Sequence, residues 1–224
     1  MLRTALIIAR KDLRLTIGRS GDLAQAAALG LLLIFIFSLS LAPGQRMSAQ
    51  SAAAIFWMAS AFCQVIIFSM LHAYEENNGQ KQGLLLAPMP VQSVWLGKAL
   101  AGIVLLMIAQ ALFVPALIVF LGQEFGPVWK AGPSVVLVCD IGIAGAGSLM
   151  GALVQGQSGK ESLLGILVFP LLTPLFLGGI RVGSLAFGGA DEGIGDWMGI
   201  CLAFDAVFIA AALPLFPFAY NAEG

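Results

Sequence analysis

Long apolar runs alternate with short polar breaks along this chain. Six runs of similar length occupy residues 23–42, 52–71, 98–121, 134–154, 162–180 and 197–218. Each is close to the roughly 20 residues an α-helix needs to cross the hydrocarbon core of a bilayer. The breaks hold turn and headgroup chemistry: Pro43-Gly44-Gln45-Arg46, the polar run from His72 to Gln82, and segments 122–133, 155–161 and 181–196. Residues 2–19 follow another pattern. Leu2, Leu6, Ala9, Leu13 and Ile17 recur at helical spacing, with Arg3, Arg10, Lys11 and Arg14 on a neighbouring arc. That is the signature of a helix lying in the membrane interface. Ser20-Gly21-Asp22 then offers a turn and an N-cap. The expected fold is all-α and membrane-integral, with one transmembrane domain over residues 1–224. Within it, six spanning helices follow an N-terminal amphipathic interfacial helix at 1–20, and a cytoplasmic loop runs over 72–97.

Composition removes the soluble alternatives. Of 224 residues, 59% are hydrophobic and 10% charged, against about 45–50% and 25% in ordinary soluble domains. Too few charges exist to cover a globule of this size. The net charge of −1 comes without a basic stripe, so nucleic acid is excluded as a partner. Six spans take about 120 residues, and the remaining hundred or so are too few for a nucleotide-binding domain.

Lysine and arginine set the expected orientation. With the N-terminus inside, Arg3, Arg10, Lys11, Arg14, Arg19, Lys81, Lys98 and Lys160 are cytoplasmic, and only Arg46, Lys130 and Arg181 are external. Both termini are therefore expected in the cytoplasm. The first apolar run is longer than the about 7–15 residues of a signal peptide and is read as a retained span.

Two glycine motifs imitate nucleotide sites. Gly145-Ala-Gly147-Ser-Leu-Met-Gly151 lies in a span without a βαβ unit, so Gly147 and Gly151 are read as a GxxxG packing face. Gly159-Lys160 is followed by Glu161, where a phosphate loop needs Ser or Thr. His72 is the one histidine, and no GxSxG or HExxH occurs. The three cysteines, Cys63, Cys139 and Cys201, all fall in apolar runs and form no CxxC pair. The chain is therefore read as non-catalytic, with no metal site, drawing energy from a partner or a gradient. Asp140 and Asp205 are the intramembrane ionisable candidates, for a substrate path, a proton relay or an interhelical hydrogen bond. Gln64 and Gln110 read as interhelical glue. Lys98 and Trp95 read as an anchor at a membrane edge, as do Trp57, Trp129 and Trp197. Pro170 and Pro174 are expected to bend or break the fifth span.

The segment after the second span reads Glu75-Glu76-Asn-Asn-Gly79-Gln-Lys81-Gln-Gly83-Leu84-Leu85-Leu86-Ala-Pro88-Met-Pro90. Its acidic pair, glycine, leucine turn and Leu-x-x-Pro-x-Pro ending resemble the matching segment of the CcmB family. Leu163-Leu164-Gly-Ile166-Leu167-Val168-Phe169-Pro170-Leu171-Leu-Thr-Pro174-Leu175 is similar to that family's leucine-rich fifth span. The resemblance runs from end to end. It departs at Gly79-Gln80-Lys81-Gln82, where the family tends to carry Gly-Ser-Leu-Glu, implying a more polar surface here. The family's tryptophan-rich haem motif belongs to another subunit and has no counterpart in this chain.

The resemblance implies an ABC-2-type permease-like subunit of a haem-export complex for cytochrome c maturation, in a bacterial inner membrane. Its implied partners are a cytosolic ABC ATPase, a haem-handling membrane subunit and a small membrane-anchored subunit. ATP would be hydrolysed in the partner, and haem would be handled within the complex. Glu75, Glu76, Gly79, Leu84, Leu85, Pro88 and Pro90 would form the coupling loop on which the ATPase docks. Two alternatives stay open: an ABC-2-type exporter for a lipid, polysaccharide or drug, and a proton-coupled carrier using Asp140 or Asp205.

Overall fold

The computed structural model describes residues 1–18, 20–77, 83–84, 86–154, 161–189 and 193–221. Among these, the long helices are α1 (Leu2–Gly18), α2 (Ser20–Ser38), α3 (Ala49–Asn77), α4 (Gln92–Leu121), α5 (Ala131–Val154), α6 (Glu161–Ala186) and α7 (Ile194–Asn221). No strand occurs among the described residues. Five helices are long and apolar enough to cross a membrane alone. Helices α1 and α2, bent by 73° relative to each other, pass the same test only as a pair, which brings the crossings to as many as six. The chain is a multi-pass helical membrane protein.

Helices α2, α3 and α4 pack on one another, as do α5, α6 and α7, and the two groups meet where α3 and α4 face α5 and α6. Helix α1 lies along α4 and touches α2 only lightly. Small residues make these approaches possible, because lipid supplies no hydrophobic drive between helices and van der Waals fit must replace it. The expected GxxxG face is used in this way: the ring of Phe68 sits on Gly147 and that of His72 on Gly151.

Several elements run further than the apolar runs. Helix α3 continues to Asn77 and α4 already begins at Gln92. Both ends of the loop expected over 72–97 are therefore helical, and the connection between α3 and α4 is 78–91. The apolar criterion missed these turns because polar residues extend a helix beyond the hydrocarbon. In the other direction, α2 stops at Ser38 rather than at 42. There the hydroxyls of Ser38 and Ser40 donate to the carbonyls of Phe35 and Phe37 at 2.6 and 2.7 Å, satisfying groups that a further turn would have used.

Of the bend or break expected in the fifth span, a break does not occur. Helix α6 is continuous through Pro170 and Pro174. The fixed φ of proline is itself helical, and a packed bundle tolerates the missing donors. The Thr173 hydroxyl donates to the Phe169 carbonyl at 3.0 Å inside this turn.

Candidate functional site

Chemistry-bearing side chains gather at three levels of the bundle. The first is the end where α1 lies. Helix α1 carries two apolar faces. Leu2, Leu6 and Ile17 of the expected stripe are exposed, fit for lipid. A second face of Ala5, Ile8, Ala9, Asp12 and Thr16 is buried, and the sequence reading missed it. Gly97 of α4 admits this face: a Cβ there would stand 2.8 Å from Ile8 and 2.9 Å from the Ala5 carbonyl. Ile8 belongs to a buried apolar cluster with Val94 and Trp95 of α4, Leu149 of α5 and Phe216 of α7.

Inside this contact lies a charged joint. Lys98, expected as an anchor at a membrane edge, is 0% exposed. Its ammonium donates to the Leu71 carbonyl of α3 at 2.6 Å and stands 3.9 Å from Asp12 Oδ2. Lys11 Nζ reaches Asp12 Oδ1 at 3.0 Å. An ammonium this deep needs a counter-charge and acceptors, since burying an uncompensated ion costs several kcal/mol. Trp95 is equally internal: its indole N–H donates to the Gly145 carbonyl at 3.0 Å, and Ser148 Oγ donates back to the Trp95 carbonyl at 3.1 Å. The anchor reading of Lys98 and Trp95 is corrected to interhelical pairing. The residue missed altogether is Asp12. Its signal was the spacing Ala5, Ala9, Asp12, Thr16, small and polar residues on one helical face.

Beside this joint runs the connection between α3 and α4. Glu75 and Glu76 fall in the last turns of α3, while their side chains, Gly79 and Leu85 lie outside the described residues. Leu84 is half-buried, and Pro88 and Pro90 are exposed. Leu86 is 87% exposed, the most accessible large apolar side chain described.

The second level is the middle of the bundle. Gln110 Nε2 of α4 donates to Asp140 Oδ1 of α5 at 2.9 Å and lies 3.3 Å from Ser60 Oγ of α3. The interhelical reading of Gln110 holds. Asp140 is thus held by an amide and is fully buried. Asp205 of α7 packs elsewhere, on Gly142 of α5, where Leu175 of α6 also closes in. Cys139 and Cys201 lie between the two sites with sulfurs 3.9 Å apart. The two aspartates belong to different helix interfaces and are not brought together. His72 is buried, with Nδ1 2.9 Å from the Phe68 carbonyl; since a carbonyl only accepts, Nδ1 carries the proton.

The third level is the end opposite α1. Phe56, Trp57, Gln110, Phe125, Trp129 and Phe187 are among the residues lining a cavity of about 340 Å³. Trp57, expected at a membrane edge, is 2% exposed. Its ring sits on Gly179, with Phe56 edge-on at 5.3 Å. Trp129 and Trp197 remain near the edge, and Arg181 lies 5.9 Å over the Trp197 ring. The connecting segments here are tied together: Gly126 N–H donates to the Ala186 carbonyl at 2.8 Å and Gln123 Nε2 to the Met47 carbonyl at 2.8 Å.

Comparison with known proteins agrees with the resemblance. Residues 3–223 match the model of a family described as CcmB protein. A heme exporter protein B of Haemophilus influenzae is 24% identical over 213 residues, covering 93% of this chain and 96% of that protein. That of Rhodobacter capsulatus is 26% identical, covering 93% of each. That of Paracoccus denitrificans is 26% identical, covering 96% of this chain and 94% of its own.

Proposed function

The chain belongs to the CcmB family, and from that premise we propose that it is the permease-like, non-catalytic membrane subunit of an ABC complex that exports haem, or releases a haem-loaded chaperone, for c-type cytochrome biogenesis. The observation that carries this reading is the match to heme exporter protein B relatives along nearly the whole of both chains. The chain sits in a bacterial inner membrane with both termini in the cytoplasm, so the α1 end faces the cytosol. A cytosolic ATPase docks on the connection around Glu75, Glu76, Gly79, Leu84, Leu85, Pro88 and Pro90. Leu86 joins this set, since its exposure next to two prolines offers a rigid apolar contact to a partner. A haem-handling membrane subunit and a small membrane-anchored subunit complete the complex. ATP is hydrolysed in the partner, and haem is cargo.

Asp140 accepts a hydrogen bond from the Gln110 amide on α4, an interhelical contact that suits packing better than proton carriage. The test is purification of tagged protein from native membranes in mild detergent, with mass spectrometry and an absorbance scan. An ATPase and a haem-bearing membrane protein are expected to come along. The variant Leu84→Asp with Leu86→Asp is expected to lose the ATPase alone. Recovery of an ATPase without haem proteins would assign the chain to another ABC exporter.

A further inference from the structure

Helix α1 rests on α4 through apolar contacts: Ile8 and the Ala5 carbonyl close on Gly97, beside the buried Ala9. Contacts of this kind are non-directional. A directional element crosses the interface among the described residues: Asp12 on α1, Lys98 on α4 and the Leu71 carbonyl on α3. A buried ion pair is a poor way to gain stability, because an apolar pair of similar volume does as well or better. Its best-attested use is to fix register.

Its position is informative. Leu71 lies six residues before the end of α3 at Asn77, and Lys98 six residues after the start of α4 at Gln92. At about 1.5 Å per residue, the joint stands roughly 9 Å below each root of the 78–91 connection. It clamps the two helices that carry this connection to each other and to α1. The buried cluster to which Ile8 belongs also takes in Leu149 of α5 and Phe216 of α7.

We propose that the Asp12–Lys98–Leu71 joint is a register pin that makes α1 and the roots of α3 and α4 a single lever, so that a displacement imposed by the ATPase on the 78–91 connection moves α1 and the spans together. This rests on the docking role given to that connection above. Asp12 and Lys98 are positioning residues: they touch neither cargo nor nucleotide. Without the pin, α1 would slip along its apolar contact, and hydrolysis would proceed without moving the spans.

The test separates pinning from folding. Asp12→Leu with Lys98→Met replaces the ion pair by apolar side chains that keep the interface filled, while the Leu71 carbonyl lies within α3. Lys98→Arg keeps both the charge and the donors. Each variant is produced in a strain lacking the native subunit and read for ATPase retention, ATP turnover of the purified complex and yield of c-type cytochrome. The apolar pair is expected to retain the ATPase and its turnover but to lower cytochrome yield per ATP at least tenfold. The arginine variant is expected to stay within twofold of the parent. An apolar pair with parental yield per ATP, an apolar pair that loses the ATPase, or an arginine variant as defective as the apolar pair would each overturn the proposal. A parent chain that gives no cytochrome in this strain would instead overturn the function proposed above.

Discussion

Two buried carboxylates lean on the same helix and are treated in opposite ways. At the α1 end, Asp12 faces the ammonium groups of Lys11 and Lys98. Twelve residues further along α4, roughly 18 Å up the helix, Asp140 meets only the amide of Gln110, which also lies against Ser60. Full charge is spent at the helix ends, and a neutral donor serves where the spans pack. The difference follows from the solvent. The Asp12 cluster keeps one partly exposed member, Lys11, whose side chain is 34% exposed, whereas every added charge in mid-membrane is expensive. It also separates two mechanical roles. An ammonium fixed to a main-chain carbonyl and a carboxylate defines one geometry. An amide with two donors can exchange Asp140 for Ser60 while the helices shift. The first contact suits a joint, and the second suits a bundle that has to rearrange.

Breaking the charged contact on one side alone has the largest expected effect. Lys98→Met leaves Asp12 buried without one of the two ammonium groups described beside it. A loss of about 3–5 kcal/mol is expected, read as lower yield and a lower Tm in detergent. Gln110→Leu removes the donor from Asp140 and is expected to cost about 1–3 kcal/mol, measured in the same thermal unfolding experiment. Arg46→Ala breaks an ion pair to Glu124 at 2.8 Å whose side chains are 64% and 72% exposed. Its effect is expected to stay under about 1 kcal/mol, within the scatter of the Tm. If Gln110→Leu proved as damaging as Lys98→Met, the contrast between pinned joint and adaptable network would collapse.

Much of this was legible in the chain, and the misses share a cause. Apolar run length located each of the five helices able to cross alone, because bilayer thickness acts on each segment alone. The GxxxG face was readable because absent side chains are visible in a sequence. What could not be read was the partner of a given side chain. Lys98 and Trp95, taken singly, fit the rule for membrane edges, yet they pair with Asp12, Leu71 and Gly145 on other helices. Trp57 was misplaced in the same way, since its seat on Gly179 is more than a hundred residues away in sequence. For Pro170 and Pro174, a local rule allowed a bend or a break, and the helix runs on without a break. Of the coupling segment, sequence supplied the acidic pair and the prolines, while the exposure of Leu86 came only with the fold.

The central claim is that ATP hydrolysis in a partner, rather than the intramembrane carboxylates, drives this protein. The most direct measurement is the yield of c-type cytochrome from cells whose only copy carries Asp140→Asn and Asp205→Asn, with the protein level in the membrane read alongside. Asn at 140 keeps an acceptor for Gln110, so the bundle is expected to assemble and yield is expected to remain within about twofold of the parent. Yield abolished at a normal protein level would contradict the account and make the two aspartates the path of a proton-driven carrier.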